Sequence, residues 1–169
     1  MIAAQTMSAP PLDRLAGVAR IAAALSLGLM AGFFFAFSNP TMMGFARADG
    51  ATFVTAMQLI NLEVRNLTFF IAFAAPLPLA ALALLTSRPR WPWVTAFLLY
   101  AAAVGVTRAV NIPINDAMAL WDVANLPADW ADIRDRWTLA NHVRTALSAA
   151  GCLAALVGVS RAAKQPGAA

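Results

Sequence analysis

Four stretches of this chain run without a single charged side chain: residues 21–46, 66–87, 91–107 and 145–160. A helix needs about 20 mostly apolar residues to cross hydrocarbon, and a chain in lipid must satisfy its own backbone hydrogen bonds. The stretches are rich in Ala and Leu and never alternate apolar with polar, so they read as helices and not as barrel strands. Composition agrees: 61% of residues are hydrophobic and 12% charged, against about half and a quarter in a soluble domain. A chain this apolar is not disordered, and with one cysteine it is not a disulfide scaffold. The net charge of +4 is not gathered on one face, which argues against nucleic acid and for a role in membrane orientation.

The sequence therefore predicts an all-α integral membrane four-helix bundle, one domain over residues 1–169. Its spans fall at about 15–38, 63–86, 92–112 and 139–160, with outer connections at 39–62 and 113–138. Arg14, Arg20, Arg88, Arg90, Arg161 and Lys164 fall on the side of the termini, opposed by Asp13 alone; on the other side acids match arginines. The positive-inside rule then places both termini in the cytoplasm and the protein in the cell (inner) membrane. Trp91 and Trp93 at one end, and Trp121, Trp130 and Trp137 at the other, read as two interfacial belts. The first stretch is longer than a secretory core and ends in Phe33, Phe34 and Phe35, so it reads as a retained span.

The long outer connections carry helical signals of their own. Asp49-Gly50 reads as a helix start, and Phe53, Met57, Ile60 and Val64 recur at helical spacing straight into span two. Pro127 suits a first helical position, with the pattern continuing from Trp130 through Trp137 into span four. Spans two and four are thus expected to extend into an extracytoplasmic helical crown. Pro76 and Pro78 should bend span two, while Gly28 and Gly32 permit close helix approach. Cys152 lies deep in span four, where it packs rather than reacts.

Polar residues concentrate at the outer ends of the spans: Asn39; Gln58, Asn61, Glu63, Arg65 and Asn66; Arg108, Asn111, Asn115 and Asp116; Asn141, His142 and Arg144. Because the helices alternate in direction, these converge on one end of the bundle. Arg108, Asn111 and Asn115 share one side of a helix, as do Asn141, Arg144, Thr145 and Ser148; Asn61 with Arg65, or Glu63 with Asn66, makes a third stripe. Charged groups at membrane depth are expensive unless paired or facing water, so a polar pocket beneath the crown is expected. Taken singly, the residues have plainer roles: arginines that snorkel, acids that neutralise them, asparagines as interhelical glue. Met42, Met43, Met57 and Met118 would serve as a copper(I) set or, better, as core filler. One histidine excludes a bis-histidine haem and a multi-His/Cys zinc site, and no phosphate loop or dinucleotide fingerprint occurs. Chemistry without a protein-bound metal or cofactor is expected.

The segments 32–40 (GFFFAFSNP), 57–61 (MQLIN), 111–116 (NIPIND) and 137–145 (WTLANHVRT) resemble the anthrone-oxygenase-like family of small four-span membrane proteins, in order and across nearly the whole chain. The resemblance implies oxidation of an anthrone to an anthraquinone by dioxygen without a cofactor. It casts His142 as the base that removes the acidified methylene proton. Arg108 and Arg144 would stabilise the oxyanion and developing superoxide, and Asn111, Asn115 and Asn141 would orient the carbonyl and the histidine, with Asn61 completing the lining. Glu63 or Asp116 could instead be the base, with His142 orienting. The partners implied are membrane lipid, a small hydrophobic or aromatic substrate and dioxygen, with no nucleic acid; a homo-oligomer is left open. The rival readings are a protein that binds a lipid, quinone or metabolite, a structural accessory subunit, and an extracytoplasmic metal binder using His142, Asp116 and the methionines. An open cavity beside His142 would favour binding or catalysis, and close packing would favour glue.

Overall fold

The computed structural model describes residues 11–164, with side chains from residue 14 onward, so the side chain of Asp13 lies outside the described residues. In order come α1 (Pro11–Ala36), a π-helical segment (Phe37–Thr41), α2 (Met42–Phe45), α3 (Gly50–Glu63), α4 (Leu67–Ala74) and α5 (Pro76–Thr86). Then follow α6 (Trp91–Val106), a second π-helical segment (Thr107–Asn111), α7 (Ile112–Met118) and α8 (Trp130–Ala163). No strand occurs among the described residues.

Four helical stretches are long and apolar enough to cross a membrane: Arg14–Phe45, Leu67–Thr86, Trp91–Met118 and Trp130–Ala163. The chain is a multi-pass membrane protein. Around the bundle α1 packs on α8 and α5, and α6 packs on α8 and α5, closing a ring of four. Its core is built from small residues, among them Ala23, Ala24, Ala83, Ala96, Ala103, Ala154 and Ala155, with Leu27, Met30, Phe34, Trp93 and Tyr100 filling the gaps. Small residues let helix backbones approach closely, which matters where lipid outside is as apolar as the core. Leu15, Val18, Leu25, Leu29, Leu85, Leu98 and Leu153 instead face outward, as a lipid-facing surface requires.

The helices outrun the bilayer at the end away from the termini. α8 spans 34 residues, roughly 51 Å at 1.5 Å per residue against about 30 Å of hydrocarbon. There α3 packs across α7, and Met42, Phe53, Val54, Met57, Ile114, Met118 and Trp137 form a second buried cluster. Three of the four outer methionines are therefore core filler, and Met43 is exposed. Gln58 ties this crown together, donating through Nε2 to the carbonyls of Met118 (2.9 Å) and Trp121 (3.1 Å). Asp49 caps α3 by accepting from Thr52 N at 2.7 Å, and that backbone hydrogen bond holds its carboxyl below the ordinary value.

Several local expectations need correction. Span two is not a continuous extension of α3. Asn66 adopts an extended conformation, its Nδ2 donates to the Glu63 carbonyl (2.6 Å), and its Oδ1 accepts from Phe69 N (2.9 Å). One side chain thus closes α3 and opens α4, the competition with the backbone that makes Asn a helix boundary. Spans one and three run past residues 38 and 112 through the π segments. Asn39, ahead of Pro40, leaves helical geometry (φ −157°, ψ 116°), the conformation that proline favours in the residue before it. Pro127 stands three residues ahead of α8, its carbonyl accepting from Trp130 N. Pro76 does interrupt span two, separating α4 from α5. Of the expected belts, Trp91 is exposed but Trp93 and Trp137 are buried. Gly28 faces Cys152 Sγ, whereas Gly32 faces open space. The closest approach within the bundle is at Gly158, which lies directly against the Trp93 ring.

Candidate functional site

Between the crown and the bundle lies a cavity of about 770 Å³, within the roughly 300–1,000 Å³ of small-molecule sites. α1 and its π segment contribute Phe33, Phe34 and Phe37. The α3–α4 junction contributes Asn61, Arg65, Asn66, Phe69, Phe70 and Phe73. Thr107, Arg108, Asn115 and Asp116 come from the third span, and Trp137 and Arg144 from α8. Aromatic rings form much of the wall: Phe33 and Phe69 meet at 4.9 Å between centroids, and Phe37 and Trp137 at 5.8 Å. Flat apolar walls with a few convergent polar groups suit a planar aromatic ligand.

Arg144 dominates the electrostatics. It is only 6% exposed, and its Nη2 donates to Asn141 Oδ1 at 2.7 Å and its Nη1 to Thr107 Oγ1 at 3.4 Å. Its guanidinium stands 4.5 Å from the Phe34 ring centre and 5.3 Å from that of Trp137. No carboxylate pairs with it: the ion pairs among the described residues are Arg65–Asp116 and Arg134–Asp135. Its Nε is buried without a hydrogen-bond acceptor. A buried charge lacking a counter-ion is costly, and here it lines a cavity. The arrangement favours an anion inside.

A polar layer behind the cavity holds Arg144 in place. Asn141, fully buried, donates through Nδ2 to the Phe34 carbonyl (2.9 Å) and to Ser38 Oγ (2.8 Å), and Ser38 shares a 2.8 Å hydrogen bond with Thr145. Asn111 Nδ2 donates to the Trp137 carbonyl at 3.2 Å, leaving its Oδ1 buried and unpartnered. Trp137 Nε1 donates to Asn115 Oδ1 at 2.8 Å, fixing the indole against the cavity. Ser38 lies in this layer at the kink around Asn39, and Thr107 and Asn111 lie in it on the π turn of the third span, a kind of turn frequent at functional sites.

The residues expected from the sequence separate into three groups. Asn61, Arg108, Asn115, Asp116 and Arg144 line the cavity. Asn111 and Asn141 are buried behind it and hydrogen-bond to two lining residues, the Trp137 carbonyl and the Arg144 guanidinium. His142 and Glu63 are exposed and line nothing. His142 follows Asn141 by one residue, a rotation of about 100° on a helix of 3.6 residues per turn. With Asn141, Arg144 and Ser148 inward, His142 must point away. The open cavity exists, but not beside His142. Among the described residues no group of three His, Cys, Asp or Glu side chains stands together as a metal would require.

The sequence reading overlooked the phenylalanine walls and Thr107. Phe33 with Phe37 and Phe69 with Phe73, each pair four residues apart, carried the former signal. Thr107 continues the buried face of Tyr100 and Ala103, followed by Asn111, Ile114 and Met118, a helical spacing that carried its signal, while Arg108 is exposed and lines the cavity.

A family profile described as anthrone oxygenase matches residues 56–154, more than half of the chain. The match holds every cavity-lining residue except Phe33, Phe34 and Phe37. No curated protein and no solved structure matches the chain. With four membrane-capable helices in a ring, a cavity between bundle and crown, and that match, the chain belongs to the anthrone oxygenase family.

Proposed function

We propose that the protein oxidises an anthrone-like aromatic ketone with dioxygen, without a cofactor, in the cavity beneath the crown. The observation that carries this is Arg144, a buried guanidinium with no acid partner on the wall of an aromatic slot. An anthrone's methylene is acidified by its flanking aryl ketone, and losing that proton delivers the negative charge such an arginine stabilises.

Asp116 is the base in this scheme. It is the one carboxylate lining the cavity among the described residues. Its 2.7 Å bond to Arg65 joins two well-exposed side chains, and such pairs contribute about 1 kcal/mol or less. Asp116 can therefore leave Arg65 and turn to the substrate at little expense. The resulting carbanion, delocalised over ring and ketone oxygen and held by Arg144, passes one electron to dioxygen. Radical and superoxide then combine at the same carbon to give a peroxide anion, which takes back the proton that Asp116 removed. As the remaining C–H proton leaves, the O–O bond breaks, hydroxide departs and takes a proton to become water, and the carbon becomes a second carbonyl. Anthrone and dioxygen give anthraquinone and water.

The membrane is proposed to be the cell (inner) membrane, with termini cytoplasmic and the crown outside. The reaction is tested by oxygen uptake of the detergent-purified protein with a simple anthrone. Wild type should exceed the spontaneous rate. Arg144→Gln should lose roughly 100-fold or more, the scale of a removed oxyanion donor, and Asp116→Asn a comparable factor. His142→Ala should stay near wild type. Uptake unaffected in Arg144→Gln, with the variant folded by circular dichroism, sinks the proposal; tight quinone binding without turnover would move the protein to the ligand-binding class.

A further inference from the structure

Three arginines line the cavity, Arg65, Arg108 and Arg144, against the single carboxylate of Asp116. Asp116 neutralises Arg65, which leaves two positive charges for the occupant. The carbanion of the proposed reaction answers Arg144. Arg108 remains, with no ion pair or hydrogen bond to any described residue. Both guanidinium groups without a carboxylate partner line the same cavity, at different exposures: Arg144 is buried and Arg108 is exposed.

We propose that the substrate is a fused-ring aromatic ketone carrying a second group already ionised at neutral pH, a ring carboxylate, and that Arg108 is the residue that selects it. This rests on the anthrone-type reading for the ring system, and on the cavity's charge balance for the carboxylate. A guanidinium presents a planar fork of donors that matches a carboxylate and fixes its orientation as well as its charge. Seated on the rim, it would hold the carboxylate at the mouth while the ketone points inward to Arg144. An unsubstituted anthrone, which supplies one negative charge, leaves Arg108 unsatisfied and binds less tightly.

The test uses stable product-like probes, anthraquinone and anthraquinone-2-carboxylate, titrated onto the purified protein in neutral detergent by quenching of tryptophan fluorescence. Wild type should bind the carboxylate about tenfold or more tightly than the neutral quinone, the scale of a hydrogen bond to a charged group. Arg108→Gln should bring that ratio close to one, Arg108→Lys should keep part of it, and added salt should shrink it in wild type. Equal affinities in wild type, or a ratio that survives Arg108→Gln, overturn the proposal. So does Arg108-dependent uptake of phosphatidylglycerol with no preference between the quinones, which would make the anion a lipid phosphate. Neither probe is oxidised, so the result is independent of turnover: failed oxygen uptake removes the reaction, and a failed ratio removes the carboxylate.

Discussion

A difference of one residue separates a cavity wall from the lipid. Asn141, Arg144 and Ser148 are buried while His142, between them in sequence, is exposed. The stripe at i, i+3 and i+7 was legible in the sequence, and it already placed His142 on another face; the chemistry of a lone histidine argued otherwise, and geometry prevailed. The absence of a partner for Arg144 was not legible, because Glu63 and Asp116 both stood close enough in sequence order to serve. Asn141 offers the sharpest residue-level prediction. It makes two interhelical bonds through Nδ2 and receives Arg144 through Oδ1. Interhelical side-chain bonds in membranes average about 0.6 kcal/mol, so Asn141→Ala should lower stability by roughly 1–3 kcal/mol once the stranded partners are included. Reversible unfolding in detergent measures this. Because Arg144 also loses its anchor, activity should fall by a larger factor than the stability change explains; a variant that melts early yet turns over normally would show that Asn141 is glue alone.

At the level of elements, apolar periodicity located every span but not their ends. The helix start at Asp49-Gly50 was readable because a cap is a local matter. The π segments and the break at Asn66 depend on which backbone groups find partners across the bundle, and a pattern of hydrophobic residues carries no record of that. The same holds for helix contacts. Gly28 and Gly32 formed the recognisable pair, yet the tightest approach within the bundle is α8 against α6, where a Cβ at Gly158 would sit 2.7–2.9 Å from three atoms of the Trp93 indole. Trp93 is fully buried and has no room to retreat. Gly158→Val should therefore destabilise by about 1–3 kcal/mol, as overpacked cores do, whereas Gly32→Val, facing open space, should be close to neutral. Comparing the two in one unfolding series checks the assignment, and equal losses would contradict it.

For the molecule as a whole, alternating helix direction gathers scattered asparagines, acids and arginines at one end and leaves the other end with basic residues opposed by Asp13 alone. That much followed from span count, which is why most of the polar residues of the cavity could be named without coordinates while its aromatic walls and the partners of each group could not. The sidedness proposed from the arginine distribution is open to direct labelling. In a Cys152→Ala background, Leu120→Cys, on the exposed crown, should react with a membrane-impermeant maleimide on intact cells, and Lys164→Cys only after lysis. The reverse pattern would invert the molecule.

The outward face of α4 adds a consequence of its own. This helix supplies Phe69, Phe70 and Phe73 to the cavity yet buries none of its residues fully, and Leu67, Phe70 and Ile71 are exposed, so one helix faces both the cavity and the outer surface. Dioxygen and flat ring systems both dissolve better in hydrocarbon than in water. For the proposed oxidation the bilayer is then a reservoir as well as a support, concentrating both reactants beside the wall they must cross. Water, the by-product, partitions the other way, toward the exposed Arg65–Asp116 mouth. Reactants and by-product would leave and enter by different phases, and turnover should track the concentration of substrate in the lipid and not that in the surrounding buffer.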